Sequence, residues 1–527
     1  MAISNASEAA ALSASPPSSV RRNIVANYLG NAWSAIMGLA FVPLYIHYLG
    51  MEAYGLIGVF ALLQAWMSVL DMGLTPMLTR EMARLTAGAH TPQSIRDLLR
   101  SVELIYAAVA VAIAMGVAAA APWLSAHWLR AEHLPDASIA QALAIAGVVI
   151  ALRWLNGLYR GAINGLQDQV WLNGCTALFA TVRGLGAVLV LALIAPRIQL
   201  FFIFQGIVVI LETAVLALHM HRLLPPSRRP ARFDWRTLHQ VRHFAGGMAL
   251  ITILSLLLTH VDKVILSRLL PLSEFGYYTL ATTLCGALYL MIAPIHNATY
   301  PRLTALVGAG DVVALRETYH QFAQILTVMI APSAIVLSLF AEDVLLLWTR
   351  NAATAAATAP LVSILAVGTL CNGLMHTPYA LQLAHGQTRF TVVVNLFAVC
   401  ILVPSLYIGI SVYGTVAAAI VWAVLNVSYV IFTAPVVHRR WLPGELWRWY
   451  GQDCLIPASA ALLAASCIRF VAPASTLERP LQNASIVLTT GIAAQFSGLL
   501  ASSLGRTLLN DLMQAIVTNR SHNASHP

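Results

Sequence analysis

The chain has 527 residues, of which 59% are hydrophobic and only 10% are charged, and its mean hydropathy is +0.76. Soluble domains carry about 25% charged residues, so this composition excludes a soluble domain and indicates a polytopic helical membrane protein. The formal net charge of +9 does not indicate nucleic-acid binding, because most cations lie in loops between apolar segments. The six cysteines stand singly, without the spacings of a metal site or a disulfide framework, and we expect neither a metal nor a cofactor.

The two ends of the chain differ from the rest. Residues 1–22 are rich in alanine, serine and proline and lack the basic and apolar regions of a signal peptide, so we expect a disordered cytoplasmic tail. Residues 509–527 are predicted to form a second cytoplasmic tail.

Between these tails lie about fourteen apolar runs that are long enough to cross a bilayer, which takes about 20 helical residues. The sequence therefore predicts an all-α fold of about fourteen transmembrane helices. The predicted spans are 24–46, 53–76, 100–121, 138–160, 170–194, 199–221, 244–270, 275–298, 320–347, 358–384, 390–410, 412–435, 452–471 and 484–504.

The positions of the cations give the orientation. If the N-terminus and alternate loops are cytoplasmic, 21 of the 30 lysines and arginines lie inside, 6 lie outside and 3 lie within spans. This asymmetry follows the positive-inside rule and predicts a cytoplasmic N-terminus and an even number of spans.

An internal repeat divides the chain. Tyr54-Gly55 matches Phe275-Gly276 at an offset of 221 residues, and Tyr159 matches Tyr379 at an offset of 220. A nearly constant offset indicates two repeats of six spans with the same orientation, related by an axis along the membrane normal. The predicted domains are an N-lobe at 23–221, a basic cytoplasmic loop at 222–243, a C-lobe at 244–438 and two extra spans at 439–508.

The seventh predicted span carries a polar stripe that ends in Asp262 and Lys263, the only lysine of the chain. Charges within a span are costly unless they meet a partner or a wet cavity. Sequence neighbours do not face each other on a helix, so we expect Asp262 and Lys263 to have different partners. We interpret this stripe as the lining of an aqueous path.

Other predicted spans also carry polar residues at helical spacing, and we expect these stripes to converge on a cavity between the two lobes. Each has a structural alternative: the asparagines could bond a neighbouring helix, Arg160 could extend to the membrane interface, and Arg183 with Glu212 could be a structural ion pair. The stripe residues that enter the site hypothesis are Asn27, Asn31, Asp71, Arg153, Asn156, Arg160, Asn173, Arg183, Glu212 and His376.

Four stretches resemble a known family. They are YIHYLGMEAYGLIGVF from Tyr45, LDMGLTPMLTREMARL from Leu70, YRGAINGLQDQVWLN from Tyr159 and PRLTAL from Pro301. They resemble polysaccharide-repeat flippases of the Wzx type, which belong to the MOP (multidrug/oligosaccharidyl-lipid/polysaccharide) exporter superfamily. The resemblance implies two six-helix lobes around a central cavity. It also implies export of an undecaprenyl-pyrophosphate-linked oligosaccharide for O-antigen or exopolysaccharide synthesis.

On this resemblance we assign roles to the polar residues. Arginine binds phosphate in a bidentate manner, so we expect cationic side chains to bind the cargo's headgroup, amides to bind sugar hydroxyls, and carboxylates to couple ions. Candidate substrate-binding residues are Arg153, Arg183, Lys263, Arg160, Asn27, Asn31, Asn156, Asn173 and His376, and candidate ion-coupling residues are Asp71, Glu212 and Asp262.

Two other functions stay open at this stage. One is a drug or cation antiporter of the same superfamily, and the other is a membrane-embedded glycosyltransferase or ligase. Short loops and the absence of any catalytic motif favour a transporter and not an enzyme. The expected partners are the lipid-linked oligosaccharide and membrane lipids, with no nucleic acid; a polysaccharide polymerase and a chain-length regulator are further partners that the resemblance leaves open.

Overall fold

The structure is a computed structural model that describes residues 17–71, 73–86, 90–227, 229–233, 253–472, 479–503 and 505–507. Residues 1–16 and 509–527 of the predicted tails lie outside these residues, as do 228 and 234–243 of the predicted loop, whereas residues 17–22 belong to the first helix. The described residues are helical and form no strand; one isolated bridge joins Arg130 and Pro271. The described helices divide into two compact units, one ending at Gly276 and one starting at Tyr277.

The first unit is built from long apolar helices with short connections. In chain order they are α1 (Pro17–Ala40), α2 (Val42–Met67), α3 (Leu74–Thr86), α4 (Pro92–Trp123), α5 (Asp136–Gly165), α6 (Gln169–Leu193), α7 (Ile198–Leu223) and α8 (253–269).

The second unit begins at Tyr277, within a helix that starts in the first unit. The helices are α9 (Leu272–Gly286), α10 (Tyr289–Ala309), α11 (Val312–Leu339), α12 (Ala341–Thr349), α13 (Ala352–Leu374), α14 (His376–Ala384), α15 (Thr388–Ser428), α16 (Ala434–Trp441), α17 (Ile456–Val471) and α18 (Pro480–Ala501). Two π-helical segments, Tyr429–Thr433 and Trp449–Leu455, precede α16 and α17.

The described parts of the predicted spans lie on helices, some with short breaks between them, and residues 244–252 of the seventh span lie outside the described residues. Among the described residues, ten helices are long and apolar enough to cross a membrane, or eleven if α9 and α10, bent by 42°, form one span. Two predicted boundaries appear as breaks within continuous helices, because Gly50 (φ 83°) interrupts α2 and Gly414 (φ 63°) interrupts α15. Only glycine adopts such backbone angles without strain, so both breaks are set by the sequence.

Glycines also allow the core of the first unit to form. Gly161 and Gly165, one helical turn apart on α5, face α3 so closely that a Cβ on Gly165 would lie 2.3 Å from the backbone oxygen of Thr79. The Thr79 hydroxyl donates a hydrogen bond to the Gly161 carbonyl at 2.9 Å. Small residues at a spacing of four allow such close approach between membrane helices. This contact orients α5, which carries Arg153 and Arg160.

A buried polar network attaches the two extra spans of the second unit. His320 on α11 contacts Asp453 in the π segment through Nδ1 and Glu445 through Nε2 at 3.0 Å. Gln324 donates to the other oxygen of Asp453 at 2.8 Å and accepts a hydrogen bond from Ser503, beyond α18, also at 2.8 Å. Because Asp453 is fully buried, these partners are needed to offset the cost of removing its carboxylate from water.

The repeated segments meet each other within the first unit. A Cβ on Gly55 would lie 2.2 Å from the backbone oxygen of Leu272, and a Cβ on Gly276 would lie 2.6 Å from the backbone oxygen of Met51. Both Leu272 with Met51 and Gly276 with Gly55 are separated by the 221-residue offset of the repeat. Each repeat therefore contributes one glycine and one backbone oxygen to this contact, as in a local twofold arrangement.

The glycine contact predicts the outcome of single alanine substitutions. Gly55→Ala and Gly276→Ala each force a methyl group against a backbone oxygen, so we expect each to lower the free energy of unfolding by about 1–3 kcal/mol. Gly116→Ala on α4 is the matched control, because a Cβ there meets nothing within 4 Å. Thermal unfolding of the purified variants in detergent measures the effect; equal midpoints for all three variants would contradict the contact.

Candidate functional site

Two helices of the first unit present their polar residues to each other in register. On α5, Arg153, Asn156 and Arg160 follow at spacings of three and four and so share one face. On α7, Gln205 and Glu212 lie two turns apart. Arg153 bonds Gln205 and Arg160 bonds Glu212, both across 52 residues. The constant separation shows that α5 and α7 run parallel here, with their polar faces together.

Glu212 is the centre of this arrangement. Its Oε1 accepts a hydrogen bond from Arg160 Nη2 at 2.8 Å, and its Oε2 accepts one from Arg183 Nη2, on α6, at 2.5 Å. The side chain of Glu212 is only 3% exposed, whereas those of Arg160 and Arg183 are 35% and 26% exposed. The structure therefore contains the ion pair between Arg183 and Glu212 that the sequence analysis gave as the structural alternative. Arg160 is a second partner of Glu212.

Arg153 is held by uncharged groups. Its guanidinium donates to Gln64 Oε1 at 3.1 Å and to Gln205 Oε1 at 3.2 Å, and it lies 5.2 Å from the centre of the Phe60 ring. Such neutral contacts orient a guanidinium and leave its charge in place.

We call Arg153, Arg160, Arg183 and Glu212 the arginine cluster. It contains three cations and one carboxylate, which leaves two positive charges. The Nε atoms of Arg153 and Arg183 are buried without a hydrogen-bond partner among the described residues. The cluster therefore has both charge and donor capacity to bind an anion.

The predicted asparagines are placed less uniformly. Asn156 is buried, accepts a hydrogen bond from Arg160 Nε at 2.8 Å and thereby supports the cluster. Asn173 donates to Asn27, and Asn27 donates to Gln169 Oε1 at 2.6 Å, so these amides join α1 to α6. Asn31 on α1 is exposed.

Asp262 and Lys263 contact each other, a contact that the sequence analysis did not predict. Lys263 Nζ lies 3.3 Å from Asp262 Oδ2 and also donates to the Thr259 carbonyl at 3.2 Å. Neighbouring side chains leave a helix about 100° apart, but the long lysine side chain bends back far enough to reach the carboxylate. Lys263 is therefore neutralised locally, unlike the arginine cluster.

Asp71 ends the short 3₁₀ turn before α3. Its carboxylate accepts hydrogen bonds from the backbone nitrogen of Thr75 at 3.2 Å, from the Thr75 hydroxyl at 2.6 Å and from the Tyr106 hydroxyl. A carboxylate at this position satisfies free backbone donors at the start of a helix. These contacts give Asp71 a structural task whether or not it binds an ion.

His376 lies apart from the other candidates, in the second unit. It lines a pocket of about 200 Å³ that α13, α14, α15 and the first π segment enclose, together with the polar residues Asn372, Tyr379, Gln382, Thr391 and Asn395. The Nε2 atom of His376 is buried and has no hydrogen-bond partner among the described residues.

Some residues of these sites were not among the predicted site residues. Gln64 and Gln205 hold Arg153, and their signal was a polar amide within an apolar run. Tyr429 lines the His376 pocket, but an aromatic residue in a span gives no sequence signal beyond membrane-helix composition. The His320 network was also missed, because its members come from distant segments.

Comparison with known proteins shows which families this chain matches. The family described as "Polysaccharide biosynthesis protein" matches residues 20–307, which is more than half of the chain. The family described as MatE matches residues 248–408. A "Putative O-antigen transporter" of Shigella flexneri is 20% identical over 413 residues, covering 77% of this chain and 94% of that protein.

Solved structures share the fold. A structure titled lipid II flippase MurJ, in an inward closed conformation, superimposes with a TM-score of 0.67 at 11% identity, covering 90% of this chain and 97% of that one. An inward-facing multidrug resistance MATE family transporter of the MOP superfamily gives 0.61 at 14% identity, covering 77% and 95%. These matches confirm the all-α, MOP-type fold that the sequence predicts.

The arginine cluster predicts the effect of removing its carboxylate. In Glu212→Gln, Arg160 and Arg183 face each other without a counter-charge. We expect a loss of roughly 2–4 kcal/mol of stability, somewhat less than for a fully buried pair, because both guanidiniums are partly solvated. Replacing one cation as well, in Glu212→Gln/Arg183→Met, is expected to recover part of this loss. Thermal unfolding in detergent measures both; an unchanged midpoint in Glu212→Gln would contradict the ion-pair assignment.

Proposed function

Since this chain belongs to the polysaccharide biosynthesis protein family, we propose that it is a flippase for a lipid-linked oligosaccharide. The cargo is an undecaprenyl-pyrophosphate-linked repeat unit, carried from the inner to the outer leaflet of the bacterial inner membrane for O-antigen or exopolysaccharide synthesis. The protein acts as a transporter and not as an enzyme.

The observation that carries this proposal is the positive charge left over in the arginine cluster. Cations within a membrane protein are costly unless a partner or water offsets them. Glu212 offsets Arg160 and Arg183 only in part, and Arg153 has neutral partners. A cargo with a phosphate headgroup supplies the missing negative charge, and guanidinium groups bind phosphate oxygens in pairs.

Within this proposal, Arg153, Arg160 and Arg183 bind the headgroup, and nearby amides such as Asn156 bind its polar substituents. Alternating access requires the Gly55–Gly276 contact, which lies at the predicted outer end of its helices, to separate when the protein opens outward. Ion coupling at Asp71, Glu212 or Asp262 stays a prediction; Glu212 is the candidate whose protonation would free two arginines for cargo.

A drug or cation antiporter is the competing candidate, which the MatE match over residues 248–408 favours. The charge of the arginine cluster separates the two functions, because two surplus positive charges repel a cationic drug and attract an anionic headgroup. We therefore place the anionic cargo first.

The test follows the cargo across the membrane in a strain that lacks this protein. A glycan-modifying enzyme added to spheroplasts reports oligosaccharide exposed on the outer leaflet. We expect the completed lipid-linked oligosaccharide to remain inside in the deletion strain and to be exposed again with the wild-type protein. Arg183→Gln should lower exposure by about 10- to 100-fold, the effect of losing a charge-assisted hydrogen bond.

Arg183→Gln is informative because Glu212 keeps Arg160 as a partner, so the protein should reach normal abundance. Arg197→Gln is the matched control, since Arg197 precedes α7 and lies outside the cluster. Normal outward exposure in the deletion strain would refute the flippase. Equal exposure with Arg183→Gln and Arg197→Gln would instead remove the cluster from cargo binding.

A further inference from the structure

The polar pocket around His376 contains the second unit's sequence counterpart of part of the arginine cluster. At the 220-residue offset of the repeat, His376 matches Asn156, which supports the cluster. Ala380, on the same helix, matches Arg160. Among the described residues, the lining of this pocket contains no Asp, Glu, Lys or Arg. A charged ligand would be buried here without a counter-charge, so the pocket suits an uncharged one.

The walls of the pocket offer uncharged donors and acceptors. The Tyr429 hydroxyl and His376 Nε2 are buried and have no hydrogen-bond partner in the described part of the chain. Gln382 donates its two amide hydrogens to the Gln387 carbonyl at 2.8 Å and to the Thr391 hydroxyl. Its carbonyl oxygen stays available as an acceptor. Because buried polar groups are rarely unpaired in native proteins, these groups indicate a ligand that both donates and accepts hydrogen bonds.

Neighbouring residues fix the orientation of this polar wall. Asn372, which also lines the pocket, accepts a hydrogen bond from the Tyr289 hydroxyl at 3.0 Å and donates to Asn426 Oδ1 at 2.7 Å. The centre of the His296 ring lies 5.4 Å from that of His376. Groups that are oriented before a ligand binds lose less conformational freedom on binding, which favours affinity.

Aromatic side chains form the rest of the wall. Tyr379, Phe390 and Tyr429 all border the pocket. An aromatic ring presents an apolar face, and the tyrosines add a hydroxyl at the edge. A sugar ring has the complementary form, because its C–H groups make an apolar face and its hydroxyls surround the edge.

The polar part of the site is short. The break at Gly414 lets the second half of α15 return beside the first, and residues of both halves line an apolar groove. Four residues line both the groove and the pocket: Phe390, Val394, Tyr429 and Thr433. A ligand with polar groups on every edge is therefore confined to the pocket of about 200 Å³, which limits it to a single ring.

The predicted topology places the pocket near the cytoplasm. Gln382 and Thr391 lie on either side of the short turn between α14 and α15. This turn is the predicted cytoplasmic loop between the tenth and eleventh spans. A cargo on the inner leaflet would therefore meet this pocket from its own side of the membrane.

We propose that this pocket binds one uncharged sugar residue and selects it against acidic sugars. The proposal rests on the proposed function for the source of the sugar, which is the oligosaccharide of the cargo. Sugar hydroxyls both donate and accept hydrogen bonds, as Tyr429, His376 and Gln382 require. A uronic acid in the same position would bury a carboxylate without a cation to pair with it, and this cost is the basis of the selection.

Photolabelling of the full-length protein in nanodiscs tests the pocket. The neutral probes are small glycosides of glucose, galactose and N-acetylglucosamine with a diazirine in the aglycone, and the glucuronic acid glycoside is the acidic counterpart. Mass spectrometry maps the labelled peptides. We expect a neutral probe to label peptides that cover residues 372–395 and 429–437, and its free parent sugar to displace it. The glucuronide should label them about 10-fold less.

A matched pair of variants tests the hydrogen bond at Tyr429. Tyr429→Phe removes only the hydroxyl, so the free sugar should be needed at about 3- to 10-fold higher concentration for half displacement, the effect of one hydrogen bond. Tyr407→Phe is the control, because Tyr407 lies on α15, is 57% exposed and does not line the pocket. Equal displacement in both variants would contradict the assignment.

A third variant tests the selection by charge. Asn395 lines the pocket from α15, and Asn395→Arg supplies the cation that a carboxylate needs. We expect the glucuronide to label this variant about 10-fold more than the wild-type protein, and the neutral probe no more than before. A disturbed structure would lower labelling by every probe and cannot produce this selective gain. If the variant does not accumulate, the comparison of Tyr429→Phe with Tyr407→Phe decides.

Two further outcomes would overturn the proposal: no labelling of the pocket peptides that a free neutral sugar displaces, or equal labelling of the wild-type protein by glucuronide and neutral probes. Labelling does not depend on transport, so this inference and the proposed function fail separately. Displaceable labelling with normal outward exposure of cargo in the deletion strain refutes only the flippase. Cargo retained inside in the deletion strain, without displaceable labelling, refutes only the sugar pocket.

Discussion

The structure of the first unit depends on one carboxylate. Glu212 is buried between Arg160 and Arg183 and joins α5, α6 and α7 through two short hydrogen bonds. A buried ion pair contributes little net stability, since the gain barely offsets desolvation, but leaving one partner unpaired is strongly unfavourable. The arrangement therefore specifies how the three helices meet. It also keeps two guanidiniums in position while neutralising only one positive charge, and Arg153 adds another.

The two units differ in chemistry. The first unit holds the surplus positive charge, which suits a phosphate headgroup. The second unit holds a groove and a pocket whose linings contain no charged residue. In both units glycines set the geometry: Gly55 and Gly276 allow a close contact between repeated segments, and Gly414 turns α15 back beside itself.

The sequence predicts the fold well and the site in part. Long apolar runs, arginine-rich loops and a 221-residue offset are properties of whole segments, so the spans and the repeat could be recognised. Arg153, Asn156 and Arg160 share a face by spacing alone. Their partners could not be predicted, because Gln64, Gln205 and Glu212 depend on which helices become neighbours. Spacing also did not predict the contact between neighbours, in which Lys263 reaches the adjacent Asp262 because its side chain is long and flexible. Tyr429 becomes recognisable only when its buried hydroxyl is seen without a partner.

Translocation by the purified protein tests the central claim most directly. Proteoliposomes that contain only this protein would receive a fluorescent polyprenyl-diphosphate oligosaccharide in both leaflets, and a membrane-impermeant quencher would report the fraction that reaches the outer leaflet. We expect the wild-type protein to make the whole pool accessible and Arg183→Gln to slow this process strongly. Accessibility restricted to the outer half of the lipid, as in protein-free liposomes, would contradict the account. Equal rates for the wild-type protein and Arg183→Gln would contradict the role of the arginine cluster.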